Sequence, residues 1–157
     1  MLLKYLTCFF ISMVPLVELR LAVPMAVSMG LDYWPSLVIC VIGNLLPVPI
    51  IYFFARKVLE WGKDKKYIGG FFSWSLRKGE SGGYKLTQRA GRTGSFLALM
   101  LFVGIPLPGT GAWTGTLAAS FLDMGIKTTS LAVSAGVVLA GIIMGIVSLT
   151  GVHVFGL

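Results

Sequence analysis

Val17-Glu18-Leu19-Arg20-Leu21-Ala22-Val23-Pro24 sets an acid and a guanidinium two residues apart inside an apolar stretch. Residues 5–17 before it and 21–31 after it carry no charge. Each run is shorter than the roughly 20 residues a helix needs to cross a bilayer. At about 1.5 Å per residue, each reaches about half the hydrocarbon thickness or a little more. The economical reading is a re-entrant hairpin: one half-helix enters, the chain turns near Glu18–Arg20, and a second half-helix returns. Non-helical backbone at that depth is tolerated only under protein or beside a wet cavity. The turn is therefore expected to line a site, marked by the two charges.

Composition points the same way. Of 157 residues, 56% are hydrophobic and only 12% charged, which suits a small multi-spanning membrane protein and not a soluble domain. One membrane domain over residues 1–157 is expected. It divides into a first hairpin and spanning helix (1–55), a basic loop (56–92), and a second hairpin and spanning helix (93–157). The net charge of +7 is local. Ten basic and three acidic residues fall between Arg56 and Arg92, and elsewhere the charges balance. The positive-inside rule makes that loop cytoplasmic. A lipid-headgroup role is the sharper alternative, and no nucleic-acid module accompanies the charge. Cys8 and Cys40 lie in apolar runs without metal or disulfide spacing, and read as packing residues. His153 reads as a tolerated interfacial residue. Glu18 and Arg20 fall where a cleavage region would be small and neutral, so a signal peptide is not expected.

Along the chain, Asp32 before Tyr33-Trp34-Pro35 reads as the N-cap of a helix starting at an interface. Residues 33–55 are uncharged and long enough to span. Pro47 and Pro49 within this run free carbonyls one turn earlier. The nearby Asn44 either satisfies those groups or faces a substrate path. In the loop, Lys63, Lys65, Lys66, Tyr67, Phe71, Phe72, Trp74, Arg77 and Lys78 suit a segment at headgroup level. Gly69-Gly70 and Gly82-Gly83 are expected to break it. Residues 93–122 are again uncharged. Gly104-Ile105-Pro106-Leu107-Pro108-Gly109-Thr110-Gly111 cannot continue a helix, so a second hairpin is expected. Asp123 reads as the cap that closes it. Residues 128–150 form the last span. Ser130, Ser134, Gly141, Gly145 and Ser148 lie on one small-residue stripe, for packing inside the bundle or between copies.

A shift of 91 positions superposes Val14-Pro15-Leu16 on Ile105-Pro106-Leu107 and Leu31-Asp32 on Leu122-Asp123. Each half is then a hairpin, an aspartate and a spanning helix. One span changes side, so the second hairpin must enter from the opposite face. The expected fold is an all-α polytopic membrane protein built as an inverted repeat, as in many secondary transporters. Both termini would be extracytoplasmic.

Glu18-Leu19-Arg20-Leu21-Ala22-Val23-Pro24 resembles the first signature of the small multi-drug export family of prokaryotes. Ile105-Pro106-Leu107-Pro108-Gly109-Thr110-Gly111-Ala112-Trp113-Thr114-Gly115 resembles its second, more specific signature. The similarity covers nearly the whole chain and implies a prokaryotic inner-membrane exporter. More distantly, the two-hairpin plan resembles the DedA superfamily, which implies transport or flipping of lipid phosphates and a link to the proton gradient. Two departures stand out. Leu21 replaces the usual glycine, and no arginine lies between Thr93 and Lys127, where DedA-type proteins usually carry one.

In the candidate site, Glu18 and Arg20 form either a static ion pair or a device in which Glu18 exchanges a proton or substrate for Arg20. Thr110 with the backbone of Gly109 and Gly111 offers donors. A helix starting near Ala112 would favour an anion. Trp113 either stacks on a ligand or packs. Pro15, Pro24, Pro106 and Pro108 set the hairpin shapes. No nucleophile–base pair, phosphate-cradling loop or metal cluster appears, so neither an enzyme nor a cofactor is expected. The expected function is ion- or proton-coupled transport of a small amphipathic solute or lipid phosphate by a homodimer. The rivals are a non-transporting protein that organises lipids or a partner, and a passive scramblase or channel.

Overall fold

A computed structural model describes residues 1–64, 69–107 and 110–155. Lys65, Lys66, Tyr67, Pro108 and Gly109 lie outside the described residues, as do the side chains of Phe71, Phe72, Lys78 and His153. The described residues are all-helical: α1 (Leu2–Met13), α2 (Glu18–Ser28), α3 (Tyr33–Leu45), α4 (Pro47–Lys63), α5 (Gly69–Gly104), α6 (Ala112–Phe121) and α7 (Ile126–Phe155). Two helical stretches are long and apolar enough to cross a membrane. They are Tyr33–Lys63, interrupted only at Leu46, and Ile126–Gly151. Their mean hydropathies are 2.3 and 2.4.

α1 and α2 fold back on each other, because Lys4 Nζ at the start of α1 donates to Met29 O beyond the end of α2 at 2.9 Å. The basic segment departs from expectation. α4 runs on to Lys63, and α5 continues through Gly82-Gly83. Two adjacent glycines weaken a helix by about 1 kcal/mol each without forbidding it. The break falls at Gly91 instead, at φ 68° and ψ 178°, where only glycine sits without strain. After it, residues 92–104 form the outgoing leg of the second hairpin, and α6 the return.

The two halves repeat the order short, short, long. The offset is 91 positions on the first leg, where Met13 corresponds to Gly104. It is 93 after the turn, where Ser28 corresponds to Phe121 and Tyr33 to Ile126. The second turn is two residues longer. This corrects the aspartate match. Asp123 corresponds to Gly30, not to Asp32. Both are left-handed, at φ 54° and 71°, in the same helix-ending motif: Leu31 N donates to Ala26 O at 3.0 Å, and Met124 N to Ala119 O at 3.1 Å. Asp123 therefore does not start α7, and its carboxylate pairs with Arg56 of α4. Asp32 does occupy the N-cap position of α3, but its side chain makes no capping bond.

Packing repeats at the same offsets. A Cβ on Gly43 of α3 would lie 2.6 Å from Phe9 O, and one on Gly136 of α7 would lie 2.6 Å from Met100 O. In each half the long helix presses a glycine onto a backbone carbonyl of its own outgoing leg. α2 packs on α7, and α6 reciprocally on α4. Gly141 and Gly145 receive Leu37 and Tyr33 of α3, so those members of the small-residue stripe serve packing within the chain. Cys8 and Cys40 are fully buried free thiols.

Gly136→Ala should lose about 1–3 kcal/mol, because the methyl meets backbone that cannot yield. Gly151→Ala, with nothing within 4 Å, should gain up to about 1 kcal/mol. Thermal unfolding in detergent followed by circular dichroism measures both. An unmoved midpoint for Gly136→Ala would contradict the close α5–α7 contact.

Candidate functional site

Each half-helix that stops at a hairpin tip leaves unpaired backbone groups: N–H at its start, C=O at its end. The two tips meet and satisfy these groups across the contact. Glu18, 5% exposed, opens α2. Its Oε2 accepts Ala112 N–H at 3.2 Å and its Oε1 accepts Trp113 N–H at 3.1 Å. These are the first two donors of α6, so Glu18 caps that helix from the other hairpin and meets its positive end. A side chain on Gly111 would collide with the Glu18 carboxylate.

Arg20 does the converse. Its guanidinium donates to Leu107 O and Thr110 Oγ1, the latter at 2.9 Å, with longer contacts to Ile105 O at 3.4 Å and Val103 O at 3.5 Å. It thereby covers the carbonyl end of α5 and the turn beyond it, where a cation is favoured. Trp113 returns the pattern. Its indole Nε1 donates to Met13 O at 3.2 Å, the last carbonyl of α1. Arg20 and Trp113 are equivalent positions at the offset of 93, and so are Glu18 and Gly111. Equivalent residues thus make equivalent cross-contacts.

Glu18 and Arg20 form no ion pair with each other. The only ion pairs among the described residues are those of Arg56 with Glu60 and Asp123. A spacing of two residues favoured convergence in a turn, but each side chain found a helix end of its own. The turn itself is strained. Leu16 (φ 69°) and Glu18 (φ 51°) are both left-handed without being glycine, at about 1–3 kcal/mol each. The carboxylate's two N–H bonds, about 1.5–3 kcal/mol each for a charged acceptor, offset that cost.

A cavity of about 200 Å³ opens between the tips, lined by Pro15, Leu16, Glu18, Arg20, Thr110, Gly111, Trp113, Thr114 and Leu117. Glu18, Arg20, Thr110, Gly111 and Trp113 are therefore gathered at one place. Thr110 also donates its hydroxyl to Ile105 O at 2.8 Å, which straps the turn around Pro106. Pro24 lies inside α2, where it denies the Arg20 carbonyl a helical donor. Asn44 stands apart. It is 1% exposed, does not line the cavity, and neither polar atom of its amide has a partner among the described residues. It does not take the carbonyls freed by Pro47 and Pro49. Thr114, which accepts Gly111 N–H at 2.8 Å, was missed. Its position three residues into the return helix was the available signal.

Residues 18–143 match the family described as "Putative small multi-drug export protein". The chain belongs to this family. No curated protein and no solved structure shows significant similarity to it. The family and the two long apolar helices fit a membrane protein. The matched region begins at Glu18, so it contains every cross-contact of the two tips except the Met13 carbonyl.

Glu18→Ala should cost about 3 kcal/mol or more by leaving two buried N–H groups of α6 unmet, and Glu18→Gln, which keeps one acceptor oxygen, about half of that. Gly111→Ala should match Glu18→Ala, because the methyl displaces the carboxylate. Unfolding midpoints of the three variants check the ranking. A Glu18→Ala protein as stable as the parent would show that the cap carries no load.

Proposed function

We propose that the chain is an exporter of small amphipathic solutes, coupled to protons, in which the cavity between the hairpin tips receives the substrate. In this reading the two helical hairpins are re-entrant and enter the membrane from opposite faces. The loop at 56–92 is cytoplasmic and both termini are extracytoplasmic. Support for the inverted arrangement comes from the reciprocal contacts. Under a two-fold relation between halves, equivalent positions near the axis touch each other, as Glu18 and Gly111 do. Transporters of this plan hold substrate between broken helices near the midplane.

One observation carries the reading. The two charges beside the cavity are bound to helix ends and not to each other. A backbone cap is exchangeable. A cationic group entering the cavity competes with the α6 N–H groups for Glu18, and an anionic one competes with the α5 carbonyls for Arg20. Protonation of Glu18 removes the charge that faces the positive end of α6 and loosens the tip contact. Proton uptake, substrate binding and hairpin separation then act on the same bonds. The apolar lining from Leu16, Trp113 and Leu117 suits the hydrophobic part of an amphiphile. The volume is below the about 300–1,000 Å³ of drug-sized pockets, so this state admits a ring or headgroup. A second reading rests on the same bonds: Glu18 and Arg20 are permanent caps that only join the hairpins.

Purified protein in liposomes carrying a pH gradient should move ethidium, and Glu18→Gln should lower the gradient-driven rate by about tenfold or more and flatten its pH dependence. An unchanged rate and pH profile in a folded Glu18→Gln protein would leave only the structural caps.

A further inference from the structure

Away from the tips, at the end of the molecule that carries the basic segment, a cleft of about 440 Å³ opens between the start of the outgoing α5 leg and the start of α7. Arg92, Lys127, Thr128 and Asp123 border it. Asp123 is already engaged by Arg56. Arg92 and Lys127 are exposed and make no hydrogen bond or ion pair among the described residues. The cleft therefore presents two uncompensated cations beside a neutralised acid. Gly91 produces this placement, because its left-handed break puts Arg92 at the head of the leg.

Ser95 and Met124 border both the cleft and a second hollow of about 170 Å³. That hollow runs between the α5 leg and α6, and is walled by Ala98, Leu99, Phe102, Ala118 and Leu122. A cationic cleft and an apolar hollow therefore lie side by side.

We propose that together they form a binding site for an anionic phospholipid, with the phosphate held by Arg92 and Lys127 and an acyl chain lying in the groove between α5 and α6. Charge decides the occupant. A zwitterionic lipid brings no net charge to the two cations, whereas an anionic one brings a net negative charge that they share. The first turn of α7 adds unpaired N–H groups on the same side. The bound chain would brace the open end of the second hairpin, where α6 and the α5 leg are separated by the hollow. The proposal needs only the membrane location and is independent of the tip cavity's role.

Native mass spectrometry of the full chain, released from micelles titrated with phosphatidylglycerol or phosphatidylcholine, tests it. The parent should retain phosphatidylglycerol preferentially. Arg92→Gln with Lys127→Gln should cut that preference about twenty-five-fold, about fivefold for each cation. Lys57→Gln with Lys63→Gln, equal in charge but outside the cleft, should leave it within about twofold. Ala118→Phe, which fills the groove, should lower retention with both cations intact. Glycerol 3-phosphate, a headgroup without chains, should fail to displace the lipid. Equal losses in the two double variants would reduce the effect to diffuse charge and overturn the site. Displacement by glycerol 3-phosphate, or full retention in a folded Ala118→Phe protein, would remove the chain from the groove and overturn the lipid assignment.

Discussion

Four helix ends meet at one point in this chain, and side chains from the opposite hairpin satisfy many of the backbone groups they leave open. Helices that stop in bulk solvent solve the same problem by hydration. Here Glu18 is almost fully buried, so its carboxylate serves the α6 donors directly. Each cap is worth about 0.5–2 kcal/mol, and the matching of acid to helix start and base to helix end adds a similar amount. Against this stands the left-handed backbone at Leu16 and Glu18. Gain and cost are of one order. The tip conformation of the first hairpin is thus held in place chiefly by the second. Parting them uncovers N–H groups on one side and carbonyls on the other in a single movement.

That coupling explains which parts of the molecule could be read from the chain. The lengths of the uncharged runs are set by local composition, and the two helix pairs and two long helices follow from them. The tip residues were conspicuous because charge is rare at such positions. The partners were not legible. Sequence separation suggested that Glu18 and Arg20 converge on each other, whereas their partners lie some 90 residues away, which no local spacing encodes. The repeat was visible but misregistered. Identity between halves is low, and the Leu-Asp pairs at 31–32 and 122–123 matched by coincidence at an offset valid only for the first leg. The left-handed residue after each return helix would have given the correct one, yet it is Gly30 in one half and Asp123 in the other. Asn44 shows the opposite limit. Its proximity to freed carbonyls invited a partner, but its amide remains unsatisfied in the bundle.

The two extra residues in the second turn account for the difference between Arg20 and Trp113. In the first tip the chain closes on itself. Val14 N–H reaches Ile11 O, and Glu18 N–H reaches Val14 O, across a four-residue turn. Met13 O then accepts one indole N–H from the opposite tip. The second turn is longer and contains Pro106 and Pro108, which contribute carbonyls and no N–H. Leu107 O, Ile105 O and Val103 O all face one partner, which supplies several donors from one side chain. Guanidinium, with five N–H groups in a fixed fork, is the side chain that does so, and a lysine would reach fewer of those carbonyls. The residue at each equivalent position thus matches the carbonyls that the opposite turn presents to it. Arg20 is then the single cation that lines the cavity between the tips.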